Sequence, residues 1–209
     1  MATRVLSIDI GIKNFCFCIV DFVGDEFDLV HIEKVEIGTV KQTAFQLTTA
    51  LIDFLRSSEA INEGNIHYIY LEQQLSRAIK NTILAYAAVS YFYTEASIAQ
   101  SDVHIQFVPP RMKFSAIEAY FPGAIESHDM ICRTQSKDLK KLSIKVARSV
   151  FTELGVTKGL EAMQIYKPKL DDIADVFLQS FAVFLDKYNK GDTRVAGNPL
   201  RSRGKRKRA

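Results

Sequence analysis

Hydrophobic and polar positions along this chain change period several times, and the changes outline its elements. Arg4–Ile10 is a nearly continuous apolar run, and Asn14–Asp21 is a second, with Gly11 near the turn between them. Phe27–Ile37 alternates well enough for a third strand, after a turn at Gly24. From Gln42 to Leu55 the period lengthens: Phe45, Leu47, Leu51, Ile52 and Leu55 recur at helical spacing. His67–Leu71 is a short strand-like run ending on Glu72-Gln73-Gln74. Ser76–Ser97 has helical period and the apolar content of a core helix, and Val103–Val108 is a fifth strand stopped by Pro109-Pro110. Helices are predicted at Lys113–Tyr120, Lys137–Leu154 and Leu170–Lys187. Three strands on short turns suit an antiparallel meander, and strands alternating with helices suit parallel addition to the same sheet. The pattern therefore predicts one α/β domain over residues 1–190: a mixed five-stranded sheet flanked by helices. Residues 191–209 have the composition of a basic disordered tail.

Composition narrows the class. With 209 residues, 47% of them hydrophobic and 24% charged, the chain suits one soluble domain. Ala85–Tyr93, its longest apolar stretch, is too short to span a bilayer, and the N-terminus enters a strand directly, so neither membrane span nor signal peptide is expected. Cys16, Cys18 and Cys132 form no CxxC pair; Cys16 and Cys18 fit core packing and a reducing, intracellular setting. The last sixteen residues hold seven positive charges and no acidic ones, so against the chain's net +3 residues 1–193 carry about −4. Such a tail suggests an acidic partner or an import signal.

The acidic residues carry the chemistry. Asp9 lies inside Val5-Leu6-Ser7-Ile8-Asp9-Ile10, where a carboxylate is costly unless paired or metal-bound. Glu72 closes Ile69-Tyr70-Leu71. If the fourth strand pairs beside the first, the two carboxylates become neighbours that need a cation or a raised pKa. In Leu170-Asp171-Asp172-Ile173-Ala174-Asp175, Asp172 and Asp175 flank the apolar stripe Ile173, Phe177, Phe181, Phe184. Asp171 is also close to Asp175 on the wheel, so spacing leaves open which of the pair joins it. Aspartates early in a helix also serve as caps and dipole partners, and a glutamate at a strand end can be merely solvated. The conjunction is what points to function. Oxygen ligands without His or Cys select Mg²⁺ or Mn²⁺, and two such ions suit phosphodiester hydrolysis.

Lys137, Lys141, Lys145 and Arg148 form a basic stripe opposite Leu139, Leu142, Val146 and Val150, extended by Arg133 and Lys140. It could bind backbone phosphates or be an ordinary solvated face. Core packing is the simpler account of Phe15, Tyr91, Phe92, Tyr93, Phe107 and Phe114. Histidines 31, 67, 104 and 128 are scattered. No phosphate loop or dinucleotide fingerprint is present, so no nucleotide cofactor is expected.

Ser7-Ile8-Asp9-Ile10-Gly11-Ile12-Lys13-Asn14, Leu71-Glu72-Gln73-Gln74 and Lys169-Leu170-Asp171-Asp172-Ile173-Ala174-Asp175 resemble the signature blocks of poxvirus-type Holliday junction resolvases, relatives of bacterial RuvC and the fungal mitochondrial resolvases. The resemblance spans most of residues 4–187 and is nearest to enzymes of large cytoplasmic DNA viruses. It implies an RNase H-like fold, with Asp9, Glu72, Asp172 and Asp175 as the metal-binding carboxylates. It further implies a homodimer that makes paired, symmetric nicks in four-way DNA junctions, in the host cytoplasm, or in the nucleus if the tail is an import signal. Family members place lysines near the scissile phosphate; the candidates are Lys113 and Lys140 or Lys141, with Lys141 assigned a catalytic part. Lys113, Lys137, Lys140, Lys141, Lys145 and Arg148 make up the expected DNA-contacting set. Rival readings are an actin-like kinase or ATPase, which needs a second domain and a second Asp-x-Gly, a non-catalytic nucleic-acid binding module, and an RNase H-like nuclease acting on RNA or RNA–DNA hybrid.

Overall fold

The computed structural model describes residues 2–24, 26–75, 77–120 and 136–191. Five strands form one sheet: β1 (Thr3–Asp9), β2 (Phe15–Val23), β3 (Glu26–Val35), β4 (Tyr68–Glu72) and β5 (His104–Val108), in the spatial order β3-β2-β1-β4-β5. The β1, β2 and β3 pairings are antiparallel, whereas β4 joins β1 and β5 joins β4 in parallel. This is the mixed five-stranded sheet that the pattern predicts, in the RNase H-like arrangement that the resemblance implies. Gly11 is required at the first turn, because a Cβ there would lie 2.6 Å from the carbonyl oxygen of Asn14.

Alternation along the strands splits the core in two. Leu6, Ile8, Phe15, Phe17, Ile69 and Leu71 point to one face, against α1 (Ala44–Ser57), α2 (Glu59–Asn62) and α3 (Ile79–Ala99). α1 begins at a capping box in which the Gln46 amide donates to Thr43 Oγ1 at 3.2 Å and the Thr43 amide donates to Gln46 Oε1 at 2.9 Å. Val5, Cys16, Cys18, Val20 and Tyr70 point to the other face, beneath α4 (Met112–Tyr120), α5 (Ser136–Leu154), α6 (Thr157–Ile165) and α7 (Asp171–Gly191). Both strand cysteines are buried, as their alternation implies, while Cys132 and His128 lie outside the described residues.

α7 departs from the single apolar stripe read from the sequence. From Val176 to Leu185 every residue is buried, including Gln179 and Ser180. The helix lies on β1, β2 and β3 while α4 and α5 pack on its remaining sides, so no flank is left for water. Gln179 Nε2 donates to the Tyr70 carbonyl at 3.1 Å, which ties the helix to β4. Two short helices, α2 and α6, are additions to the elements read from the sequence. Among the described residues no helix is long and apolar enough to cross a membrane. The basic segment 191–209, apart from Gly191 at the end of α7, lies outside the described residues.

Candidate active site

Strand register builds the site. Asp9 and Glu72 are the last residues of adjacent parallel strands, and the pairing Ser7↔Tyr70, Ile8↔Leu71 brings them level at the sheet's edge. Asp9 pairs with Cys16, and Cys16 pairs with Lys34 on β3, so Lys34, Cys16 and Asp9 make one row facing α7. The first five residues of α7 bring Asp172 and Asp175 close enough to this row for Asp9 to feel both charges. Lys113 arrives from α4: its Nζ donates to Asp175 Oδ2 at 2.5 Å and lies 3.6 Å from Glu72 Oε2. Lys34 Nζ donates to the Lys169 carbonyl at 2.9 Å and to Asp172 Oδ2 at 3.3 Å. Lys140 of α5 forms an ion pair with Asp171. The adjacent aspartates that spacing left open thus face different partners: Asp171 turns to the α5 lysine, and Asp172 turns toward the strand row.

These placements set the electrostatics. Burial pushes the Asp9 carboxyl up to about 8, and repulsion from Glu72 and Asp175 adds to it, while Lys113 works the other way. Burial also raises Glu72, against the pull of Lys113, and raises Asp172 together with the charge of Asp171. Burial opposes charge on Lys113 too, yet Asp175 and Glu72 outweigh it and hold the ammonium above the ordinary lysine range. For Asp171 burial is outweighed by the Lys140 hydrogen bond, and the carboxyl falls below its ordinary range. Among the described residues no hydrogen bond or ion pair reaches the Asp9 carboxylate. Asp175 Oδ1 is buried without a partner, although Oδ2 of the same group is held by Lys113.

An oxygen-only donor set with an orphaned buried oxygen and an uncompensated carboxylate suits a hard divalent cation. Among the described residues no three acidic, histidine or cysteine side chains close on one point as a ready-made cage. The Lys113 ammonium stands between Glu72 and Asp175 and partly supplies the positive charge the carboxylates need. The donor chemistry fits a metal ion; the side chains are drawn in around lysine.

No family profile matches this sequence, and no curated protein matches it. Solved structures do. The fowlpox virus Holliday junction resolvase superposes with a TM-score of 0.58 at 19% identity, covering 88% of this chain and 99% of that one. The fold is that of the RuvC-like Holliday junction resolvases. RuvC of T. thermophilus, solved in complex with a Holliday junction substrate, gives a TM-score of 0.58 at 17% identity over 88% of this chain and 96% of that one. The yeast mitochondrial Holliday junction resolvase gives 0.55 at 17% identity, over 90% and 82%.

Within this RuvC-like fold, Asp9, Glu72, Asp172, Asp175 and Lys113 converge. Lys140 stands at the rim, and Lys141, Lys145 and Arg148 lie on the exposed side of α5, opposite buried Val146 and Val150. Lys137 belongs to the same helix, but its side chain lies outside the described residues. Phe15, Tyr91 and Phe92 are core residues, whereas Tyr93 is 54% exposed. Arg4 donates its amide to the His67 ring at 3.0 Å, and His31 pairs with Glu33 at 3.1 Å, both away from the carboxylates. Lys34 was not foreseen. A lysine in an alternating strand reads as a solvent-facing position, and its partner Asp172 is 138 residues away in sequence. The nearest signal in the sequence is its alternation with Ile32, which puts Lys34 on the same face of β3 as that core residue.

Proposed function

We propose that this chain is a divalent-metal-dependent endonuclease that resolves four-way DNA junctions as a homodimer, cutting both strands by paired symmetric nicks. The observation that carries the reading is the convergence of Asp9, Glu72, Asp172 and Asp175 at the sheet's edge, with Asp175 Oδ1 buried and unpartnered. A site of this charge repels a phosphodiester unless cations offset it. Asp9, Glu72, Asp172 and Asp175 would hold two Mg²⁺ ions, with Mn²⁺ able to substitute. Once bound, these would supply an activated water and stabilise the leaving 3′ oxygen. Lys113 keeps Glu72 and Asp175 aligned and presents a cation beside the scissile phosphate. Lys140 and Lys141 extend that positive field, with Lys141 acting at the cut phosphate, and Lys137, Lys145 and Arg148 track the backbone.

The homodimer is supported by α3. Ile79, Ile83, Tyr86 and Tyr93 recur at helical spacing and are 68%, 41%, 60% and 54% exposed. Such a stripe calls for a partner. Laid antiparallel on a second copy with Tyr86 on the two-fold axis, Ile79 meets Tyr93 and Thr82 meets Ser90. The residue pattern of this face is self-complementary.

The test is cleavage of a labelled four-way junction with Mg²⁺, beside a linear duplex of the same sequence and an RNA–DNA hybrid. Paired nicks in opposite arms with the other two substrates spared are expected. Equal cutting of junction and duplex, or cutting of the hybrid alone, would move the function to another RNase H-like nuclease. Binding of the junction without cutting would make the chain a binding module.

A further inference from the structure

Lys34 shares one face of β3 with the core residue Ile32, and its side chain is only 12% exposed. An ammonium is costly at such a position unless other groups receive it. Three do. Its Nζ donates to the Lys169 carbonyl at 2.9 Å and to Asp172 Oδ2 at 3.3 Å, and it stands 5.9 Å from the centroid of the Tyr166 ring. The shorter bond goes to a neutral carbonyl in the segment leading into α7, so the ammonium is anchored on backbone. The bond to the carboxylate is longer than the roughly 2.7–2.9 Å of a tight charged pair. Lys113, by comparison, grips Asp175 at 2.5 Å. Lys34 therefore steers Asp172 without saturating it.

We propose that Lys34 is a positioning residue of the carboxylate centre: anchored on the Lys169 carbonyl, it holds Asp172 Oδ2 and leaves Oδ1 of the same group for a divalent cation. The inference rests on the metal-dependent reading above and adds the residue that orients one of its ligands. Lys34 pairs with Cys16 and Cys16 with Asp9, so the lysine stands two strands, about 10 Å, from Asp9 along one row. A carboxylate tied to that point cannot swing to Lys140, the partner that its neighbour Asp171 takes. The two lysines thereby sort the adjacent aspartates. Lys140 draws Asp171 to the rim, and Lys34 keeps Asp172 at the centre. Partners that orient a metal ligand in this way act on metal affinity, and through it on cutting.

The experiment measures Mn²⁺ binding to the full-length protein without DNA, by electron paramagnetic resonance of the free ion, beside the Mg²⁺ dependence of single-turnover junction cutting. Lys34→Met, which keeps the stem and loses the ammonium, should weaken Mn²⁺ binding by about 10-fold or more. It should also raise the Mg²⁺ concentration for half-maximal cutting more than it lowers the rate at saturation. Lys34→Arg should restore most of both. With Asp172→Asn already present, Lys34→Met should change Mn²⁺ binding by less than about 2-fold, because the group it positions is gone. That pair removes both charges, so the comparison stands even where Lys34→Met alone folds poorly. Lower stability with unchanged Mn²⁺ affinity, tighter Mn²⁺ binding, or an equal loss beside Asp172→Asn would each overturn the role of Lys34. If Lys34→Met weakens Mn²⁺ binding but wild-type protein cuts no junction, the positioning inference stands and the nuclease reading falls. Wild-type protein that binds no Mn²⁺ would overturn the inference together with the metal site.

Discussion

Asp9 is where the electrostatic demand of the site concentrates, and its substitution gives the sharpest test. Asp9→Asn or Asp175→Asn should lower junction cutting by about 100- to 1,000-fold or more while junction binding persists, since the fold does not need the charge. Retained cutting by either variant would remove these residues from the site. A second expectation concerns pH. The folded protein holds the Asp9 proton far more tightly than an unfolded chain, with its carboxyl raised to about 8. Without divalent metal, its contribution to stability is therefore full below about pH 4 and lost as pH rises through about 8. Glu72 and Asp172 shift in the same direction. Thermal melting of the metal-free protein should fall over that range, and Asp9→Asn should flatten the slope; an unchanged slope would mean that Asp9 is not the group titrating. Much of this cluster is legible in the sequence, because a carboxylate in an apolar strand is conspicuous. Lys34 is not, because its environment is made by Asp172 and the Lys169 carbonyl, neither of which strand alternation can reveal.

Among the elements, the strands and long helices follow from period alone, since the alternation that places Leu6 and Ile8 on one face and Val5 and Ser7 on the other is visible in the chain. α6 escaped that reading. It begins two residues after Gly155 and carries Gly159 in its first turn, and glycines so placed read as turn residues. Its role is to brace α5. A Cβ on Gly159 would come within 2.4 Å of the Phe151 ring, and Phe151 in turn packs on Phe177 of α7 with ring centroids 4.2 Å apart. Gly159→Ala should therefore destabilise the protein by about 1–3 kcal/mol through overpacking, despite the alanine's better helix propensity. Urea unfolding would detect the change as a lower midpoint at constant slope. A variant as stable as the parent would show that Phe151 can yield.

For the whole molecule, the proposed dimer predicts that Tyr86→Glu, which puts two like charges on the two-fold axis, weakens self-association by about 30-fold or more. Sedimentation should then show monomers, and junctions should be nicked singly instead of in pairs. A dimer that survives the substitution would place the interface elsewhere. The position of α7 has a consequence for motion. Its buried stretch from Val176 to Leu185 is enclosed by the sheet, α4 and α5, and the site's aspartates lie just before that stretch. A stretch so enclosed has no local route to opening, so the amide protons of residues 176–185 should exchange with solvent only when the entire domain unfolds. The aspartates are anchored to the centre of the protein through this stretch, which begins one residue after Asp175.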